Sequence, residues 1–204
     1  MRTVAFLDAN VLAKPFTRTI LLVGTGVASS TYRVVWSPHV EADAQRALDR
    51  RFGGRAEPLA SIRQEHGFEL VPPGSQPGRF AGTRASDRQV LADAARAGAG
   101  LLVTEDVDDF GEADLTAVGM CAMHHDLFAA DFLTVEGYLA ALSPIARDHP
   151  ISAVHAAVGK MHPRLFARFA DQFPGIDPLP GSGKPPHVER RGTTPPATIS
   201  HPGG

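Results

Sequence analysis

Val4-Ala5-Phe6-Leu7-Asp8-Ala9-Asn10 decides the fold. An apolar run closed by a carboxylate and an amide reads as a parallel strand buried on both faces, with its last turn emerging where a ligand can sit. In open parallel sheets the connections diverge at the carboxyl edge and leave a crevice there, so Asp8 is the first candidate for a site. The same residue can equally cap the turn or helix that follows.

The pattern recurs further along. Leu101-Leu102-Val103-Thr104 is another fully apolar strand, and it ends in Glu105-Asp106-Val107-Asp108-Asp109. This acidic run begins where a buried strand stops, which is where a metal site would draw on it. Tyr32-Arg33-Val34-Val35-Trp36 and Gly119-Met120-Cys121-Ala122-Met123 supply two more strands, and Phe68-Glu69-Leu70-Val71 a short one. Asp93 and Asp108 read as surface residues. The triplet His124-His125-Asp126 contains zinc-type ligands, but neighbouring strand residues point to opposite faces, so one compact site is not expected there.

Helices fill the intervals. One runs from Arg18 to Gly24 or Gly26. Ser37-Pro38 supplies a cap and a first-turn proline for a helix to about residue 51. On it Val40, Ala44, Ala47 and Leu48 form the apolar stripe, and Glu41 and Asp43 lie on its two shoulders, which the helical wheel does not separate. Residues 57–66 form a weakly patterned helix. The Gly74–Arg84 segment reads as an exposed basic loop. Ser86-Asp87-Arg88-Gln89 fits a capping box, and Val90, Leu91, Ala94 and Ala95 form the buried stripe of a helix stopping at Gly98. Asp87 falls near the middle of that stripe. A carboxylate facing the core implies a cationic or hydrogen-bonding partner. Further helices are expected at 134–147, 151–160 and 163–173, and Pro, Gly, Ser and Thr dominate from Pro178 onwards, reading as a disordered tail.

The chain has 204 residues, 43% of them hydrophobic, enough for one sizeable core. A net charge of −2 argues against broad electrostatic coating of nucleic acid and leaves room for a local basic patch. The single cysteine, Cys121, permits no internal disulfide and fits core filling in a reducing cytosol. No stretch is long and apolar enough to span a bilayer, and Met1-Arg2-Thr3 leads into a strand instead of a signal-peptide core, so a soluble cytoplasmic protein is expected. P-loop, GxGxxG and G-x-S-x-G motifs are lacking, and with them support for phosphate-cradling or serine-hydrolase chemistry.

Carboxylates gathered without neutralising lysines repel one another, so a fold that collects them needs divalent cations. All-oxygen ligation favours Mg²⁺ or Mn²⁺ over zinc, and phosphodiester hydrolysis is the chemistry such ions serve.

At these residues the sequence resembles the PIN-domain nucleases, and within them the VapC-type toxins of bacterial toxin–antitoxin pairs. The resemblance rests on Phe6-Leu7-Asp8-Ala9-Asn10-Val11-Leu12, on Ser37-Pro38-His39-Val40 leading into an acid-bearing helix, on Asp87 with Val90-Leu91-Ala92 and Ala95, and on Val103-Thr104-Glu105-Asp106-Val107-Asp108-Asp109-Phe110. It covers about residues 1–133. It implies a three-layer α/β/α domain with a central mostly parallel sheet, an Mg²⁺ or Mn²⁺ site, and endonucleolytic cleavage of RNA. Residues 134–177 then resemble a helical C-terminal extension, and 178–204 the tail.

In the same reading Asp8, Asp87 and Asp106 fall on metal-site positions, with Asp43 as the fourth acid of the catalytic set and Glu41 as the alternative to it. Thr104 falls on the position that orients the first aspartate, Asn10 supports it, and Asp109 matches a more variable acid. Arg79, Arg84 and Arg88 are near enough to Asp87 in sequence to contact RNA. A small antitoxin protein and a homodimer are the implied partners. Competing readings are a PIN nuclease of RNA processing or decay, a non-catalytic module of the same fold, and a phosphoryl-transfer domain. A haloacid-dehalogenase phosphatase wants a second Asp where Asn10 stands, and a response-regulator receiver wants a lysine after a late strand, which is not found between 117 and 133.

Overall fold

The structure is a computed structural model and describes residues 2–147, 149–179 and 189–193. Its sheet has five strands, β1 Thr3–Leu7, β2 Tyr32–Val35, β3 Leu101–Thr104, β4 Cys121–His124 and β5 Arg190–Gly192, in the spatial order β2-β1-β3-β4-β5. β1 to β4 run parallel and β5 pairs antiparallel to β4. Every residue of β3 and β4 is buried, as a parallel sheet covered on both faces requires.

Ten α-helices lie among the described residues: α1 Ala9–Leu12, α2 Pro15–Gly26, α3 Pro38–Phe52, α4 Leu59–His66, α5 Arg88–Arg96, α6 Glu112–Ala117, α7 His125–Phe132, α8 Val135–Ala146, α9 Ile151–Met161 and α10 Pro163–Arg168. From β1 the chain first moves to one side, to β2, and then crosses back over to β3 and β4. Right-handed crossovers send the connecting helices of the two directions to opposite faces. α2, which links β1 to β2, packs with α7 and α8, the helices that follow β4. This α/β architecture is consistent with three layers. The reversal of strand order falls between β1 and β3, so the crevice lies at the carboxyl ends of those two strands.

α3 forms as its sequence dictates. Ser37 caps it by accepting a bond from Val40 N at 3.3 Å, Val40, Ala44 and Leu48 are buried, and Gly53 ends it at φ 59°. α2 starts at Pro15, earlier than the apolar run suggests, because a first-turn proline needs no donor. The expected strand at 68–71 shrinks to one bridge, Leu70 against Trp36. Pro72 and Pro73 follow at once and cannot donate to a ladder.

The expectations for the loop, for Asp93 with its helix, and for the tail are corrected. The Gly74–Arg84 loop is not simply exposed: Phe80 and Thr83 are buried, and Thr83 donates to Asp114 Oδ2 from its backbone N (2.8 Å) and its hydroxyl (3.0 Å). Asp93 is wholly buried instead of superficial. The loop lies against the backbone of α5 so closely that a Cβ on Gly74 would sit 2.0 Å from Ala92 O, and Asp93 accepts from Gly74 N (2.7 Å) and Gln89 Nε2 (2.6 Å). Gln89 is thereby drawn away from the capping box expected at 86–89. α5 is instead preceded by Asp87, whose side chain makes no cap bond.

The third correction concerns the tail. Residues 189–193 carry β5, with His124 N donating to Glu189 O and Thr193 N to Met120 O. The remainder of the expected tail, 180–188 and 194–204, lies outside the described residues. The helices expected at 134–147, 151–160 and 163–173 correspond to α8, α9 and α10, the last continued by a 3-10 turn at Ala170–Gln172. Residues from Ala5 to Phe169 contribute to one continuous apolar cluster, so 1–133 and 134–177 share a core. No helix among the described residues is long and apolar enough to cross a membrane.

Candidate active site

Four side chains meet where β1 and β3 end. Asp8 is buried; its Oδ1 accepts from Ala9 N at 2.6 Å and its Oδ2 from the Thr104 hydroxyl at 2.8 Å. Asn10 Nδ2 donates to Thr104 Oγ1 and to Asp106 Oδ2, both at 3.1 Å, while its Oδ1 accepts from Glu105 N at 3.2 Å. Asp106 N closes the ring on Thr104 Oγ1 at 3.2 Å. Thr104 has no freedom left: accepting two bonds, its hydroxyl can only donate to Asp8. The parallel register that sets Leu7 against Val103 brings these residues together.

Burial, above all, pushes the Asp8 carboxyl up to about 6, with Asp87 and Asp106 adding like-charge repulsion and the Thr104 and Ala9 bonds opposing it. The half-buried Asp87 carboxyl is also raised, first by desolvation and then by Asp109 and Asp106, against a bond from Ser86 Oγ at 2.7 Å. Asp109 Oδ2 accepts from Arg84 at 2.9 Å, and these acids together raise the Arg84 guanidinium.

The other sequence candidates are engaged elsewhere. Glu41 accepts from Trp36 Nε1 and Arg63 Nε, each at 2.9 Å. Asp43 pairs with Arg46 and stands 3.6 Å from His39 Nε2. Neither is among the charges that chiefly shift Asp8. Arg88 is spent on the Thr83 and Ala81 carbonyls (3.0 and 3.1 Å), bracing the loop. Arg79 lies over the Phe80 ring at 4.6 Å, and Arg84 has a side chain 67% exposed.

A second constellation lies on the other flank of β3. Ligand atoms of Glu105, His124 and His125 all fall within 4.8 Å of one another, and this trio could hold a metal ion. It corrects the expectation drawn from strand alternation. β4 ends at His124 and α7 begins at His125, so the rule that separates neighbouring strand side chains stops between the two. Asp126 does not join them; it accepts from Arg164 N (3.0 Å) and Leu165 N (3.1 Å) at the start of α10. Burial lowers the pKa of both imidazoles, that of His125 far below the usual range, which favours the neutral form that ligates a metal. The sequence signal for this trio was the break from strand to helix at a His-His pair.

Comparison of the chain with protein-family models, with curated proteins and with solved structures finds no match.

Proposed function

We propose that the chain is a divalent-metal-dependent endoribonuclease of the PIN type, acting as the toxin of a toxin–antitoxin pair. The observation that carries the activity is the ring of bonds joining Asp8, Asn10, Thr104 and Asp106 at the crevice where strand order reverses, with Asp87 close enough to raise the Asp8 pKa. The toxin role rests on the resemblance of residues 1–133 to VapC-type proteins, and an antitoxin protein would be its partner.

The donor set fits Mg²⁺ or Mn²⁺. Asp8, Asp87 and Asp106 offer oxygens alone, and an Asp8 carboxyl raised to about 6 is one whose ionised form burial and the neighbouring carboxylates disfavour. Bound there, such an ion would activate water and stabilise charge on the phosphoryl oxygens. Asp8, Asp87 and Asp106 would hold it. The Thr104 hydroxyl fixes the Asp8 carboxylate, and Asn10 fixes both Thr104 and Asp106. Arg84 and Arg79, on the loop braced by Arg88, would meet the phosphates of a single strand. The support for Asp43 as a fourth acid is the resemblance alone.

The test is single-turnover cleavage of a labelled RNA by the full chain with Mn²⁺. Asp8→Asn and Asp87→Asn should each lower the rate by about 100-fold or more, and Thr104→Val by about 10- to 100-fold as the loss of an orienting partner. Circular dichroism should be unchanged in all three. Wild-type rates in either aspartate variant, or cleavage that survives chelation, would sink the reading.

A further inference from the structure

Glu105 and Asp106 are neighbours with different allegiances. Asp106 turns to Asn10 and the Asp8 ring, whereas Glu105 turns to the opposite flank of β3, towards Lys14 and the two histidines. There β3 and β4 run in register, Thr104 beside His124, so Glu105 leaves one strand where His124 ends the next and His125 opens α7. All three sit at the carboxyl edge of the sheet.

We propose that Glu105, His124 and His125 form a second cation site, selective for a borderline transition metal of the Zn²⁺ class and separate from the aspartate crevice. Two imidazole nitrogens and one carboxylate suit such an ion and not Mg²⁺, which prefers oxygen donors. His125 is buried, and its Nδ1 has no hydrogen-bond partner among the described residues, an anomaly that calls for a ligand. Glu105 is partly open, with 41% of its side chain exposed, which gives the ion an entry path. Three protein ligands leave a coordination position for water or a substrate oxygen.

Two features of the site set its behaviour. Lys14 Nζ pairs with Glu105 Oε1 and holds the carboxylate as a metal would. It is itself partly exposed on a flexible stem, so an incoming cation displaces it into solvent. His124 Nδ1 accepts from Asp126 N at 3.3 Å, beyond the usual range, so ligation through Nε2, which moves the ring proton to Nδ1, gives up only a weak bond.

The experiment uses untagged full chain, freed of metal, titrated with Co²⁺ and then Zn²⁺. Co²⁺ should bind with the intense visible absorption of a four- or five-coordinate ion, and Zn²⁺ should abolish it. His125→Ala and Glu105→Gln should weaken Co²⁺ by about tenfold or more. Lys14→Met should tighten it, because the competitor is gone. Asp8→Asn should leave the spectrum intact, which separates this site from the proposed nuclease centre. Absence of the absorption, its loss in Asp8→Asn, or its persistence in Glu105→Gln would overturn the proposal. Glu105→Gln is the decisive variant where His125→Ala fails to fold, since Glu105 is only partly buried.

Discussion

Asp8 carries an electrostatic conflict that pH should expose. Burial, chiefly, pushes its carboxyl up to about 6 in the folded chain against an ordinary 3.8. Between about pH 4 and pH 6 the folded state therefore holds a proton that the unfolded chain has released, and stability falls as pH rises through that window and stays lower above it. Two units correspond to about 3 kcal/mol. Urea unfolding of the metal-free chain should thus lose about 2–3 kcal/mol relative to Asp8→Asn across that window, and saturating Mn²⁺ should remove most of the difference. A flat difference would mean that the ionised carboxylate is satisfied without a cation. At this scale, Asp8, Thr104 and Asp106 were legible because an apolar strand fixes where its end emerges. Glu41 was not separable from Asp43, since its partners Trp36 and Arg63, 5 and 22 residues away, are set by packing that a helical wheel does not contain.

Among the elements, β5 was the least legible. Arg190-Arg191-Gly192 has neither alternation nor apolar content, and it is held by backbone pairing to β4 and by ion pairs of Arg190 with Asp131, Arg191 with Asp108 and Glu189 with Arg164. Gly192 sits at φ 96°, where a Cβ would lie 2.5 Å from Met120 O, so the close approach needs this residue. Truncation after Pro178 removes the strand and bares the β4 edge. The melting temperature should fall by about 5–10 °C, as expected for a loss of about 2–3 kcal/mol in a chain of this size. An unchanged melting curve would show that these pairings contribute nothing. The core strands β1 and β3, by contrast, were readable from their continuous apolar runs. The 68–71 strand failed because two prolines ended its ladder.

Over the whole molecule, the boundary at 133/134 followed a resemblance, while the packing ignores it. α8 lies on α2 so closely that a Cβ on Gly137 would stand 2.3 Å from Gly24 O, and one on Gly24 would stand 2.8 Å from a Leu133 methyl. No local pattern announces such a meeting, because a glycine in a helix reads only as a weakness until its opposite number is known. Tyr138 on α8 then stacks on Phe169 at 4.3 Å and donates or accepts a 2.7 Å bond with His155, tying α9 and the end of α10 into the same core. A fragment ending at 133 would strip α2 of the helix that packs on it at Gly24. The full chain should therefore melt in a single transition, and the 1–133 fragment should show no cooperative unfolding of its own. Gly137→Ala supplies the milder probe: forcing the two helices apart should cost about 1–3 kcal/mol, spread over the one transition instead of splitting it. A fragment that folds cooperatively, or a variant that melts in two steps, would restore 134–177 to the status of a separate appendage.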